Sequence, residues 1–257
     1  MCATATCTKE VRQDMQRCLQ IQPGLLTEIV GPMNRANLKL VVRERSTLEN
    51  DLGNLFGLEM SEEVRKSLVV DNTCVGPSSS SIIYTATKAR SEEIAQWLKQ
   101  RGVAAAPYHA GLSMAARVDV HRSFMLDELQ VVVATVAFGM GIDKPSIRRV
   151  VHYGGIRSLE HYVQQCGRAG RDGDDAECIA FSKAQDIQEA RTLILQDFSR
   201  DPQLKLHCER MLALHTELAA FLSDAEQCRR VRLLKHFGED PRKELPDEPK
   251  GECVKLE

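Results

Sequence analysis

Two arginines in a glycine-containing segment carry the strongest chemical signal in this sequence. Arg168 and Arg171 stand three positions apart within the run QQCGRAGRDG, residues 164–173. This spacing places both side chains on nearly one face of a helix, and the glycines let the backbone approach another surface closely. A guanidinium is always charged and matches phosphate oxygens with a fork of donors. The pair predicts a site that stabilises a transferred phosphoryl group, although a solvated basic helix would show the same residues.

A second candidate segment follows an apolar stretch. Val131–Ala134 is apolar without alternation, which is typical of a parallel strand buried on both faces. Thr135 and the loop 136–145 follow it, at the end of the strand where α/β folds bind ligands. Thr135 is therefore a candidate contact for a nucleic-acid phosphate. Asp143 is a candidate acceptor for a ribose hydroxyl, and an ordinary turn residue is the alternative.

A third candidate is the segment Tyr108–Leu112, which ends another predicted strand. A lone histidine such as His109 is most often structural. Beside Gly111 and Arg117 it becomes a candidate contact for a DNA backbone.

These segments lie in an alternation of short apolar runs and longer amphipathic ones, which predicts an α/β domain with a parallel sheet. After residue 184 no strand pattern remains, so a helical C-terminal extension is expected. The sequence SKAQ, residues 182–185, has the form of a capping box before it. The predicted strands are 38–43, 81–85, 104–108, 130–135, 149–153 and 177–181, and the predicted helices are 89–100, 113–126, 158–166 and 184–198.

Composition limits the possible classes of protein. The 257 residues are 43% hydrophobic and carry a net charge of −2, so a folded core is expected and any DNA binding requires a local basic patch. No run approaches the roughly 18 apolar residues of a membrane helix, so no membrane partner is expected. The nine cysteines include no Cys-x-x-Cys pair, which favours a reducing compartment over a disulfide framework.

Taken in order, the segments resemble the second RecA-like lobe of RecQ-family DNA helicases of superfamily 2. The resemblance covers roughly residues 3–239, and its His-Tyr-Gly and Tyr-His-Ala-Gly details are closest to Werner-like members. The RecA-like parallel sheet is thus expected to be flanked by helices. The matching segments are 81–85 (motif IV), 108–112, 133–145 (motif V), 164–173 (motif VI) and the start of the RecQ zinc-binding subdomain at 228–239.

The resemblance implies ATP-dependent unwinding of DNA with 3′-to-5′ polarity. Arg168 and Arg171 would face the ATP phosphates across a cleft, with Gln164 in support. Gly141 and Asp143 would lie near the nucleotide. The implied small molecules are ATP and Mg²⁺, shared with a first RecA-like lobe that would be a partner of this chain.

The resemblance also implies a DNA track and a nuclear location. Four further residues would lie along the DNA beside Thr135. They are His109, Ala110, Gly111 and Arg117.

The sequence lacks the phosphate-cradling half of such a motor. No Gly-Lys pair occurs in it, so it carries no P-loop of the form Gly-x-x-x-x-Gly-Lys-Ser/Thr. Ala3–Thr6 resembles the end of motif III of the first lobe. We therefore expect residues 1–26 to be a remnant of that lobe and the linker, whether the chain is a fragment, a truncated gene model or a splice form. Alone it should be inactive.

The remaining expected units are the second lobe (27–183), the helical start of the zinc-binding subdomain (184–238) and a mobile tail (239–257). The family binds Zn²⁺ with four cysteines, of which only Cys228 and Cys253 have counterparts here. Two thiolates do not complete a tetrahedral site, so zinc is not expected to be retained.

Two other functions stay open at this point. The chain could be a non-hydrolysing module that binds nucleic acid or a protein. It could also be an RNA helicase lobe, because superfamily 2 shares the arginine pattern of motif VI.

Overall fold

Six parallel strands form a single sheet in the computed structural model. The structure describes residues 6–22, 26–58, 79–136, 138, 142–200, 205–224 and 226–244. Neighbouring strands follow the order β1-β6-β5-β2-β4-β3, and every pairing is parallel. The strands are β1 (Leu38–Glu44), β2 (Ser81–Thr85), β3 (Ala105–Tyr108), β4 (Val131–Ala134), β5 (Arg149–Tyr153) and β6 (Ala176–Ser182).

Helices surround this sheet and continue beyond it. Thr87, Ser113 and Ser158 each start a helix by accepting a hydrogen bond from the backbone N–H three residues later, which satisfies a donor that the first turn leaves free. The helices are α1 (Lys9–Cys18), a short π-helix (Glu49–Gly53), α2 (Lys88–Gln100), α3 (Met114–Met125), α4 (Leu159–Cys166), α5 (Ala184–Arg200), α6 (Lys205–Ser223), α7 (Arg229–His236) and α8 (Pro241–Glu244).

The six predicted strands are confirmed, each within one residue at either end, and the α/β class with a helical extension is confirmed as well.

The sheet has an apolar core on each face because alternate residues of a strand point to opposite sides. On one face the core includes Phe124, Tyr162 and Phe221. On the other face it includes Leu52 of the π-helix and Leu98 of α2.

The prediction that Ser182 caps α5 is wrong. Ser182 closes β6 instead of capping α5. The backbone N–H of Lys183 donates to Asp186 Oδ2 at 2.8 Å, so a carboxylate inside the first turn satisfies the start of the helix. Asp186 also accepts from Arg45 Nε at 2.9 Å. This second contact links Arg45, which follows β1, to the first turn of α5.

No helix within the described ranges is long and apolar enough to cross a membrane. The expected tail is described only as far as residue 244, and its remaining residues, 245–257, lie outside the described part of the chain.

Candidate nucleotide and nucleic-acid site

The motif VI turn, residues 167–175, joins the end of α4 to the start of β6. Gly170 adopts a φ of +55° in this turn, and a Cβ there would lie 2.6 Å from Asn37 Nδ2 and 2.7 Å from Asp174 O. Its backbone N–H donates to Ile147 O at 2.8 Å. Glycine is therefore required here by both conformation and space.

Arg171 connects motif VI with motif V. Its Nη1 donates to Ile142 O at 2.8 Å and to Asp143 Oδ1 at 2.9 Å. The side chain of Arg171 keeps 33% of its surface exposed, and that of Asp143 is almost fully exposed. Such an exposed ion pair contributes little to stability, typically less than about 1 kcal/mol. Its main effect is to fix the direction of the guanidinium.

Arg168 presents a donor that the described residues leave unused. The residue is half-buried, and its Nε is buried without a hydrogen-bond partner among them. Burial raises the pKa of the neighbouring Tyr84 to about 12, and the positive charge of Arg168 opposes that rise. The Tyr84 hydroxyl donates to Phe138 O at 2.9 Å. The Arg168 side chain also hydrogen-bonds the Tyr84 hydroxyl. A partly exposed guanidinium whose donors are incompletely used favours an anion beside it.

Gln164 and Gln165, adjacent on α4, differ in burial. Gln164 is exposed, whereas Gln165 is buried with its Oε1 2.8 Å from His152 Nε2. Complete burial lowers the pKa of His152 to about 4, so the ring is neutral near pH 7 and donates from Nε2. Sequence reasoning missed this pair. The spacing of Gln165 from Leu159 and Tyr162, which also face inward, is the signal that marks it as buried.

The predicted DNA contacts meet at the carboxyl edge of the sheet. Thr135 follows β4 and His109 follows β3, and these strands are hydrogen-bonded neighbours. The Thr135 N–H donates to Tyr108 O at 3.2 Å, which holds the two strand ends together. Ala110 and Gly111 are exposed beside them. Gly141, predicted to lie near the nucleotide, falls outside the described residues.

His109 itself is buried, with only 3% of its surface exposed. Its Nδ1 accepts from the Gly111 N–H at 3.2 Å. Its Nε2 lies 3.0 Å from Glu92 Oε1 but out of line for a hydrogen bond. A Cβ on Gly111 would lie 3.1 Å from the imidazole and 3.3 Å from Lys88 Cδ. The imidazole therefore shapes this loop, and the exposed surface is the backbone of Ala110 and Gly111.

Arg117 supplies a positive charge next to that loop. It stands in the first turn of α3 and is partly buried. Its Nη2 donates weakly to Met114 Sδ at 3.7 Å, while its buried Nε makes no hydrogen bond to the described residues. Like Arg168, it retains donor capacity for an oxygen-rich ligand.

The described residues do not form a zinc site. Cys228 immediately precedes α7 and is disulfide-bonded, and Cys253 lies outside the described part of the chain. Within that part, no group of three or more His, Cys, Asp or Glu is placed to hold a metal ion. The four ligands of a structural zinc are therefore not assembled by these residues, and neither is an acidic Mg²⁺ site.

Comparison with protein families agrees with this layout. Residues 63–173 match the family described as the helicase conserved C-terminal domain, and residues 184–255 match the RecQ zinc-binding family. The two matches occupy, in the same order, the sheet domain and the helical extension. The chain belongs to the RecQ helicase family. The expected resemblance is thereby confirmed.

Individual RecQ-type relatives align along nearly the whole chain. ATP-dependent DNA helicase Q-like 2 of Arabidopsis thaliana is 34% identical over 236 residues, 92% of this chain and 30% of that protein. ATP-dependent helicase wrn-1 of Caenorhabditis elegans is 35% identical over 250 residues, 97% of this chain and 22% of that protein. The chain thus spans less than a third of the length of either relative.

The fold is shared with a more distantly similar protein. Dbp5 of S. cerevisiae, in a structure bound to RNA and ADP BeF3, superimposes with a TM-score of 0.54 at 22% identity. The superposition covers 81% of this chain and 54% of that one. At this identity the likeness establishes the RecA-like fold alone.

Proposed function

We propose that this chain supplies the second RecA-like lobe of an ATP-dependent DNA helicase that moves 3′ to 5′. In this proposal Arg168 and Arg171 face the phosphates of ATP. The observation that carries it is the contact of Arg171 with both Ile142 O and Asp143 Oδ1. This contact joins Asp143 of motif V to Arg171 of motif VI, 28 residues apart in sequence, and so brings the two motifs together.

The two arginines would act on the transferred phosphoryl group in different ways. Arg168 keeps part of its surface exposed, so its guanidinium would donate to an incoming oxyanion. Arg171 is held by a carbonyl and a carboxylate through Nη1, which fixes its direction. Charge that develops during phosphoryl transfer is best stabilised by donors already fixed in place. Gln164, exposed on α4, is proposed to support them.

A first RecA-like lobe is the proposed partner in this reaction. The sequence has no Gly-Lys pair, and the described residues form no acidic metal cluster. We therefore assign the P-loop and the Mg²⁺ ligands to that lobe, where Mg²⁺ supplies charge neutralisation to the phosphates. Gly141 and Asp143 are proposed to line the nucleotide from this side.

The proposed units are the first-lobe remnant and linker (1–26), the second lobe (27–183), the start of the zinc-binding subdomain (184–238) and a tail (239–257). The RecQ zinc-binding match at residues 184–255 supports the third unit. A nuclear location is proposed by analogy with Werner-like relatives.

A non-hydrolysing module that binds nucleic acid is the second candidate for the isolated chain. The absence of a Gly-Lys pair favours it, because no P-loop can form. Both candidates place nucleic acid on the carboxyl edge at Thr135, Ala110, Gly111 and Arg117.

The chain is expected to bind single-stranded DNA weakly through its phosphates. Affinity should fall about tenfold between about 50 and 200 mM salt and change little with base sequence, since backbone contacts dominate. Arg117→Ala should weaken binding and flatten the salt dependence. Fluorescence anisotropy with labelled oligonucleotides of different sequence measures both effects.

Arg101→Ala provides the matched control for this experiment. Arg101 directly follows the C-terminal end of α2, where it stacks on Trp97 and pairs with Glu49 of the π-helix. This end of α2 is the one away from the proposed DNA contacts, so the loss of Arg101 should leave DNA affinity unchanged. Salt-insensitive binding, or a strong preference for one sequence, contradicts the assignment. Tighter binding to RNA of the same sequence would favour an RNA helicase lobe instead.

Purified chain is expected to hold less than one zinc ion per molecule. Only Cys228 and Cys253 have counterparts among the family ligands, and Cys228 is disulfide-bonded in the structure. Even after reduction, an open two-thiolate site would lack much of the binding free energy of a closed one. Elemental analysis after dialysis against a mild chelator measures the metal content. The Cys228→Ser variant is the control and should retain the same amount. One tightly held zinc per chain would contradict this expectation.

A further inference from the structure

A short segment before β1 lies between the motif VI turn and the helix α7. This bridging segment comprises Met33–Leu38. It contacts the motif VI turn through two side chains and receives contacts from α7 and the residues that follow it. The contacts from Arg230 and Glu239 join this segment to residues more than 190 positions away in sequence.

On the motif VI side, the bridging segment holds the carbonyl groups of the turn. Arg35 Nη2 donates to Ala169 O at 3.1 Å and to Gly170 O at 2.5 Å. Asn37 Nδ2 donates to Gly170 O at 2.9 Å and to Asp174 O at 2.8 Å. These bonds hold the backbone just before Arg171 and three residues after it, so they set the path of the turn from which its side chain projects.

On the α7 side, a single arginine holds the bridging segment. Arg230 Nη1 donates to Asn34 Oδ1 at 2.6 Å and to Arg35 O at 2.7 Å, and its Nη2 donates to Leu38 O at 2.6 Å. All three acceptors are uncharged oxygens. Reaching them from one side chain requires the planar fork of a guanidinium, which lysine does not provide.

A second pair of contacts supports the same connection. Glu239, just after α7, accepts from the Met33 N–H at 2.9 Å. His236 Nε2 lies 2.9 Å from Glu160 Oε1, in the first turn of α4. The helix α7 therefore contacts the start of α4 directly and reaches the motif VI turn through the bridging segment.

We propose that Arg230 is a positioning residue for motif VI. It fixes the bridging segment, through which Arg35 and Asn37 set the path of the turn that carries Arg171. The structural claim stands on the contacts alone. Its consequence for ATP hydrolysis rests on the proposed function.

Hydrogen exchange in the full chain tests the structural claim. Arg230→Ala should increase exchange at the Gly170 and Gly173 amides about tenfold or more, because the turn loses its support. Arg230→Lys should restore only part of the protection. Amides of β2 and β5 should exchange as in the unchanged chain. Arg232→Ala is the control, because Arg232 lies on the same helix but pairs with Asp224 at 2.6 Å.

Equal exchange at Gly170 in the Arg230→Ala and Arg232→Ala variants would overturn the proposal. So would a loss of protection spread evenly over the sheet, which indicates a general structural role. Should Arg230→Ala not fold, Asn37→Ala removes the same support from the motif VI side and carries the same expectations.

The catalytic consequence is measured in a motor that joins this chain to a first lobe. Arg230→Ala should lower kcat about tenfold with KM for ATP unchanged, and Arg230→Lys should recover part of it. A rise in KM alone would contradict positioning. If Arg171→Ala leaves kcat unchanged while the exchange result holds, the proposed function fails and the positioning of the turn stands.

Discussion

Replacing Arg168 by alanine is expected to lower kcat about 10³-fold in a motor that joins this chain to a first RecA-like lobe, with little change in KM for ATP. The reason is that its donor serves charge that develops in the transition state. Among the described residues the Arg168 side chain hydrogen-bonds the Tyr84 hydroxyl while its Nε has no partner, so the substitution removes donors that the fold does not fully use. Steady-state phosphate release with saturating single-stranded DNA measures the effect.

Arg168→Lys separates charge from geometry in this experiment. It keeps the charge but loses the planar fork, so its kcat should recover only in part. Arg101→Ala is the control for loss of an arginine outside the site, since Arg101 pairs with Glu49 and stacks on Trp97. Normal turnover by Arg168→Ala and Arg171→Ala would show that both arginines are structural.

The isolated chain is expected to release phosphate from ATP no faster than buffer, with or without DNA. Phosphoryl transfer needs a loop that cradles the phosphates and an acidic group that orients Mg²⁺. The sequence has no Gly-Lys pair, and the described residues form no cluster of metal ligands. A coupled phosphate assay on contaminant-free protein measures the rate.

The Arg168→Ala chain, prepared in the same way, is the control for a contaminating ATPase. Activity that survives in this variant belongs to a contaminant. Activity clearly above background that disappears in it would contradict the expectation and would require another phosphate-binding loop in this chain.

Strand positions were predictable here because the strands are short apolar runs. Val131–Ala134 is buried on both faces of the sheet, and its lack of alternation follows from that burial. The predicted strand ends differ from the observed ones by at most one residue, because backbone hydrogen bonding to the neighbouring strand decides where a strand ends. The start of α5 was not predictable from the local sequence pattern. Asp186, and not Ser182, accepts the hydrogen bond from the Lys183 N–H, and it also accepts from Arg45, which is distant in sequence.

The candidate site was predictable in its residues but not in its contacts. A single sequence does not predict the contact between Asp143 and Arg171, because it depends on how the loop after β4 and the turn before β6 lie relative to each other in the folded sheet. The burial of His109 likewise depends on the packing of Gly111 and Glu92 around it. The bond from Arg230 to Leu38 O spans 192 residues, beyond the reach of any local pattern.

The most direct test of the central claim is DNA-stimulated phosphate release by a fusion of this chain to the first lobe of a RecQ-family relative. The fusion should exceed the summed rates of the two separate parts by about 100-fold or more. Replacing Arg168 and Arg171 together by alanine should return the rate to that sum. An equally active fusion without both arginines would contradict the claim that this chain supplies them to ATP.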